Sequence, residues 1–182
     1  MIKLAPGSTV GILGGGQLGR MLAMAAAQLG FHVHIYCPGE RSPAEHVTDR
    51  ISRNDYSDEA ALIRFAKVVD VVTYEFENIP VESVEILRQY VPTFPSANVL
   101  RVSQDRLHEK KFLNGIGIAT APYMAVATQD EAAGALKKIG MPAVLKTRRF
   151  GYDGKGQATV RSMADLPAAW AKLNSRDVIV EG

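Results

Sequence analysis

The chain has 182 residues, and its 21 Lys and Arg against 19 Asp and Glu leave a net charge of +2, which argues against a dedicated nucleic-acid binder with its strongly basic surface. A hydrophobic content of 47% beside 22% charged residues excludes wholesale disorder, and at this length folding can bury about 70% of the unfolded chain's surface. One cysteine excludes an internal disulfide framework and a multi-cysteine zinc site. No apolar run approaches the ~20 residues that span a bilayer, and the opening residues carry no signal-peptide pattern, so the expected compartment is the reducing cytosol, with no membrane partner.

Taken in order, the chain alternates strands and helices. Thr9–Leu13 is a short apolar run ending in glycines, the pattern of a strand buried on both faces. From Gln17 to Leu29, Leu18, Met21, Leu22, Ala25 and Leu29 form one helical stripe, expected to face the core, and Gly30 stops the helix. Val33–Cys37 is a second strand, so the first 37 residues make a βαβ unit. A helix from about Asp58 to Lys67 and a strand from Val68 to Glu75 follow. Pro80 then opens a helix that runs to about Gln89. Residues 1–95 read as a small doubly wound α/β domain.

Phe94–Gln104 reads as a connection, and Asp105–Leu113 as a helix ended by Asn114-Gly115. Tyr123–Val126 is a strand, and Thr128 with Glu131 matches a capping box for a helix ending near Ile139. Ala143–Lys146 and Gln157–Val160 are strands. Ser162 with Asp165 resembles a second capping box, whose helix carries Leu166, Ala169, Trp170 and Leu173 on one face. Val178–Glu181 is a last strand with no turn, cap or polar tail after it. The residues from 105 onward number only about 75, at the low end for a stable domain, so the second domain is expected to be incomplete.

Three segments can carry chemistry. Gly14-Gly15-Gly16-Gln17-Leu18-Gly19 fits G-x-G-x-x-G between a strand and a helix, where free N–H groups and the helix dipole favour an anion. A nicotinamide dinucleotide is one reading, but the acid expected at the end of the second strand is replaced by Cys37-Pro38. Another phosphate-bearing ligand, or a tight turn without a ligand, stands beside it. Glu75-Phe76-Glu77-Asn78 ends a strand. If the chain stays extended there, Glu75 and Glu77 project to one side and can hold hydroxyls or an amino group; otherwise Asn78 caps the next helix over a solvated strand end. Lys146-Thr147-Arg148-Arg149-Phe150 leads into Gly151-Tyr152-Asp153-Gly154-Lys155-Gly156-Gln157, a basic glycine hairpin without the Walker pattern. It suits folding over phosphates, or it is an ordinary hairpin tip. The four histidines give no metal-binding spacing. His32 and His34 share a strand face, where packing or a solvated edge is the simpler reading, and Cys37 reads as a small buried hydrophobe. No G-x-S-x-G elbow supports an acyl-enzyme.

Four segments in this order resemble the 5-(carboxyamino)imidazole ribonucleotide synthases, the ATPase subunits of phosphoribosylaminoimidazole carboxylase in the ATP-grasp superfamily. They are Gly14 through Met21, Tyr74 through Asn78, Gln104-Asp105-Arg106 through Leu113, and Lys146 with Gly151 through Gln157. The resemblance covers the whole chain but only about the first half of such an enzyme. It implies a Rossmann-like pre-ATP-grasp domain over residues 1–95, a linker and helix over 96–120, and an incomplete ATP-grasp lid subdomain over 121–182. It also implies carboxylation of aminoimidazole ribonucleotide with ATP and bicarbonate through carboxyphosphate, in purine biosynthesis, by a homodimer. Other ATP-grasp carboxylate–amine ligases are the neighbouring possibility.

The same resemblance assigns roles. Arg106 and Lys146 contact ATP, Gly151, Tyr152, Asp153, Gly154, Lys155, Gly156 and Gln157 form the lid, and Glu181 begins the hinge strand that receives the adenine. Gly16, Gln17, Leu18 and Glu75 face the ribonucleotide, while Tyr152 and Asp153 reach the carboxyl-transfer site. The magnesium carboxylates and the residues for the ribonucleotide phosphate fall beyond residue 182, so this chain alone is expected not to turn over. An oxidoreductase domain, resting on the glycine loop, and a nucleic-acid module, resting on Lys146, Arg148, Arg149 and Lys155, are the rival classes. The second wants more stacking aromatics than Phe150 and Tyr152.

Overall fold

The computed structural model describes residues 3–48, 50–151, 154–174 and 177–182. The chain divides into two compact units, Met1–Leu100 and Arg101–Gly182. In the first, β1 (Thr9–Leu13), β2 (His32–Tyr36), β3 (Ile51–Ser52) and β4 (Val71–Tyr74) make a parallel sheet in the order β3-β2-β1-β4. α1 (Gln17–Gln28) joins β1 to β2, α2 (Glu59–Ala66) precedes β4, and α3 (Val81–Leu87) follows it.

The central strand β1 is covered on both faces, which is why its sequence is an unbroken apolar run. Ile12 packs with Ala23, Ala26, Val33 and Ile35 on one side. Leu13 packs with Tyr36, Phe65, Val72, Ile79 and Leu87 on the other. Leu62 and Phe65 of α2 are fully buried there, each stabilising the unit by roughly 1.5–3 kcal/mol relative to exposure. Gly11 permits this closeness, since a Cβ on it would lie 2.8 Å from Phe65 Cζ.

The apolar stripe expected to bury α1 points the other way. Gly19, Ala23 and Ala26 face the sheet, whereas Leu18, Met21, Leu22, Ala25 and Leu29 are exposed, Leu29 by 70%. Small residues let the helix lie close to the strands, and the larger side chains that dominate the periodicity are left outside. β4 starts at Val71 rather than Val68, because Val68 N still bonds Phe65 O as a helical turn. Asp70 then clips the strand entry: its Oδ2 accepts from Thr9 N at 2.7 Å and its own N donates to Thr9 O. α3 ends at Leu87, two residues short of the expected Gln89, with Pro80 at its N-cap. The stretch read as a connection contains α4 (Ala97–Ser103), whose Ala97 and Leu100 are buried. A short 3-10 turn, Pro43–His46, capped reciprocally by Ser42 and Glu45, and the two-residue β3 lie in a stretch where the sequence suggested no element.

The second unit opens with α5 (Arg106–Gly115). β5 (Tyr123–Val126), β6 (Ala143–Thr147), β7 (Gln157–Val160) and β8 (Val178–Glu181) form an antiparallel sheet in the order β5-β8-β6-β7. α6 (Gln129–Ile139) and α7 (Leu166–Leu173) pack on one face, burying Leu136, Leu145, Val160, Leu166, Val178 and Val180 together. Thr128 accepts from Glu131 N at 3.2 Å as the sequence predicts, and the Glu131 carboxylate reaches back one residue further, to Ala127 N at 2.7 Å. The Ser162–Asp165 box caps a 3-10 turn that leads into α7. Leu166, Ala169 and Leu173 are buried, with Trp170 packed partly against them. Among the described residues no helix is long and apolar enough to cross a membrane.

Candidate functional site

Two constellations stand out, one in each unit. In the first unit, β2 and β4 flank β1 on opposite sides, so the carboxyl ends of β1 and β4 form a topological switch point, where ligands of open α/β sheets bind. The glycine loop leaves β1 there and the Glu75–Asn78 segment leaves β4. Glu75 turns into the loop: Oε1 accepts from Gly16 N at 2.7 Å and Oε2 accepts from Gly19 N. The N-cap residue of α1, Gly16, has no side-chain cap of its own, so a carboxylate from another strand supplies the negative charge that the helix N-terminus favours.

The glycines make room for that carboxylate. A Cβ on Gly14, whose φ is +111°, would lie 2.3 Å from Glu75 Cγ, and one on Gly16 would lie 2.9 Å from Oε1. The anion held by the Gly16 and Gly19 N–H groups is therefore a side chain of the protein itself. Gln17 and Leu18 are exposed beside it.

The projection of Glu75 and Glu77 to one side does not hold as a strand argument, because β4 ends at Tyr74 and Glu75 is committed to the loop. Glu77 accepts from Asn78 Nδ2 at 3.4 Å, and Asn78 does not cap α3. Tyr74 OH and Asn78 Oδ1 are buried without a hydrogen-bond partner, and burial pushes the Tyr74 phenol above its ordinary value. Cys37 is buried with Sγ 3.8 Å from both Gly39 O and Ser42 Oγ. His32 is exposed, whereas His34 packs edge-on to Phe65 with Nε2 3.0 Å from Ser52 Oγ. Burial, aided by Arg50, holds the His34 imidazole below its usual value.

In the second unit, the sheet face turned away from α6 and α7 follows from register. Tyr123 and Val144 both stand opposite Glu181, while Lys146 stands opposite Ile179 and Gln157. Glu181 Oε2 accepts from Lys146 Nζ at 2.8 Å, and Lys110 Nζ of α5 lies 3.5 Å from the same oxygen. Lys110 also sits 5.5 Å from the centroid of the Tyr123 ring.

One turn before Lys110, Arg106 holds the base of the glycine hairpin. Its Nη1 donates to Thr147 O at 2.8 Å and its Nη2 to Gly151 O at 3.0 Å. Thr147 N donates to Gly156 O at 2.8 Å, closing the hairpin from the other side. Gly156 has φ +68°, and a Cβ there would meet Thr147 Oγ1 at 2.5 Å. Asp105 caps α5 by accepting from Leu107 N at 2.9 Å and pairs with Arg148 through Nε at 3.0 Å. Burial works against its ionisation, but the Arg148 and backbone hydrogen bonds prevail and hold the carboxyl below the usual range.

The hairpin thus lies against Arg106, and Gln157 starts β7 across from Lys146. Gly154 and Lys155 lie in the hairpin turn, both exposed. Tyr152 and Asp153 fall outside the described residues. The sequence reading missed Lys110 as a site residue. Its i,i+4 spacing from Arg106, which places two cations on one helix face, was the available signal. Among the described residues no group of three His, Cys, Asp or Glu is arranged to hold a metal ion.

Comparison with known proteins agrees with this arrangement. Residues 7–104 match the family description "Ribonucleotide synthetase preATP-grasp domain" and residues 111–182 match "ATP-grasp domain". The N5-carboxyaminoimidazole ribonucleotide synthase of Brucella melitensis is 46% identical over 99% of this chain and 50% of its own length. The crystal structure of the Staphylococcus aureus N5-carboxyaminoimidazole synthetase complexed with ADP superposes with a TM-score of 0.94 at 34% identity, covering 100% of this chain and 48% of that one. The Aspergillus clavatus enzyme in complex with ADP and 5-aminoimidazole ribonucleotide gives 0.86 at 30% identity, covering 97% of this chain and 46% of that one. The chain spans about half the length of these relatives. With a ribonucleotide-synthetase pre-ATP-grasp unit followed by ATP-grasp sequence, the chain belongs to the ATP-grasp ribonucleotide synthetase family.

Proposed function

We propose that the protein is an ATP-dependent ligase that carboxylates 5-aminoimidazole ribonucleotide with bicarbonate, giving N5-carboxyaminoimidazole ribonucleotide, ADP and phosphate for purine biosynthesis. The observation that carries this reading is the cation-lined sheet face of Lys110, Lys146 and Glu181 beside a glycine hairpin anchored by Arg106, in a chain similar to synthetases solved with ADP. Bicarbonate is a poor electrophile. Transfer of the γ-phosphoryl group of ATP to one of its oxygens gives carboxyphosphate and ADP. The exocyclic amine then attacks the carboxyl carbon, phosphate departs, and the amine sheds a proton. Such an intermediate needs cations at the phosphates and exclusion of water.

In this reading Arg106 and Lys146 serve ATP, with Glu181 at the adenine end. Gly151 through Gln157 close over the nucleotide, and Tyr152 and Asp153 serve carboxyl transfer. Gly16, Gln17, Leu18 and Glu75 face the ribonucleotide. Magnesium belongs to the same reading, but the described residues offer no donor set for it, and no step here is routed through it. The reading also includes a cytoplasmic homodimer, for which the exposed apolar side of α1 is supporting surface, and residues 1–182 alone do not turn over. The nicotinamide alternative is opposed by Glu75, which fills the position that a pyrophosphate would take.

The test uses the full-length protein with ATP, 5-aminoimidazole ribonucleotide and isotopically labelled bicarbonate. ADP release that requires the ribonucleotide, with label in the carboxyamino product, is expected. ADP release indifferent to the ribonucleotide would refute the assignment.

A further inference from the structure

We infer that Lys110 is a reserve counter-ion for Glu181, a positioning residue that leaves Lys146 free to turn to a nucleotide's phosphates. The inference rests on the nucleotide reading of this sheet face.

The Glu181 side chain is only 10% exposed, and both lysines address one oxygen, Oε2. Lys146 makes the tight contact at 2.8 Å, with 26% of its side chain exposed. Lys110 stands off at 3.5 Å and is more deeply set, at 13%. A single carboxylate oxygen with two ammonium groups at unequal distance has one more cation than it needs.

That surplus matters when a polyphosphate arrives. If Lys146 were the sole partner, its movement to the phosphates would strand a buried carboxylate without a counter-ion, which is strongly unfavourable. Nucleotide binding would then be opposed by the charge left behind. Lys110 removes that opposition: as Lys146 swings away, Lys110 closes the remaining gap and keeps Glu181 compensated. Its position is prepared for this by α5, which Asp105 caps, and by the Tyr123 ring, which stands opposite Glu181 on β5 and favours a cation over its face. Lys110 need never touch the nucleotide.

The test is binding of a fluorescent ADP analogue to the full-length protein, with thermal melts to establish folding. Lys110→Met, which keeps the aliphatic stem, is expected to weaken binding ~10–100-fold, and Lys110→Arg to stay within about 3-fold of the wild type. Lys110→Gln is the second neutral variant should Lys110→Met fail to fold. The diagnostic arm is Glu181→Gln: with the carboxylate neutralised, adding Lys110→Met should weaken binding no further. A merely structural lysine would show the same loss in both backgrounds, and that result would overturn the inference, as would a folded Lys110→Met that binds like wild type. If wild type binds the ADP analogue, only the role of Lys110 is in question. If wild type does not bind it, the nucleotide reading falls and this inference falls with it.

Discussion

Replacing Glu75 by Ala removes one carboxylate and leaves two backbone donors, Gly16 N and Gly19 N, without an acceptor at the start of α1. Hydrogen bonds to a charged group contribute about 1.5–3 kcal/mol each, and loss of an N-terminal cap typically costs ~1 kcal/mol. Glu75 is only partly buried, so water can reach the freed donors and the lower end applies, about 3 kcal/mol in total. Glu75→Gln keeps the shape but turns an amide N–H₂ toward one donor, so it should cost about 2 kcal/mol. Urea unfolding followed by circular dichroism gives the loss, and hydrogen exchange at the Gly16 and Gly19 amides localises it. The freed N–H groups should also attract an external anion: inorganic phosphate is expected to restore part of the stability of Glu75→Ala and to leave the wild type unchanged. Stability within 0.5 kcal/mol of wild type (about the size of an ordinary surface substitution), with unaltered exchange at both amides, would refute the reasoning.

Gly14→Ala combines a φ of +111° with a clash on Glu75, so it should destabilise by at least ~2 kcal/mol, and the Gly14→Ala/Glu75→Ala pair should lose less than the sum of the two when unfolding free energies are compared. Arg106→Ala strips donors from Thr147 O and Gly151 O; about 1–3 kcal/mol of stability and faster amide exchange through Thr147–Gly156 are expected, with Arg106→Lys failing to restore both contacts. Asp105 has a depressed carboxyl pKa, so its contribution is present above the unfolded value near 3.9 and is lost as pH falls through the lower folded value. Unfolding of Asp105→Asn should therefore differ from wild type at pH 7 and converge with it in acid, once the pH has fallen below the lowered folded value.

The alternation of strand and helix was legible because β1, β5, β6 and β8 are apolar runs and the Thr128 and Ser162 caps are local patterns. Local patterns do not say which side of a helix faces inward when its inner side is Gly19, Ala23 and Ala26; periodicity weighs Leu and Met more heavily and chose the outer face. α4 was hidden by the turn-like residues around Pro95, and β3 is too short to show alternation. The glycine loop was visible, but its occupant was not: Gly16 and Glu75 are 59 residues apart, and only the strand order brings them together. The meeting of Lys110 and Glu181 was invisible for the same reason, whereas the hairpin's basic flank could be read directly from Lys146 to Arg149.

The strand order also dictates a sequence of events during synthesis. β1, one of the two inner strands of the first sheet, is made first, so that sheet can grow outward as the ribosome releases it. β8 lies between β5 and β6 yet follows both, so the second sheet has a gap at its centre until Glu181 has emerged. Until then β5 and β6 each present a bare edge to solvent. This is the interval in which a nascent chain is most open to mispairing, and a chaperone that shields strand edges would matter most there.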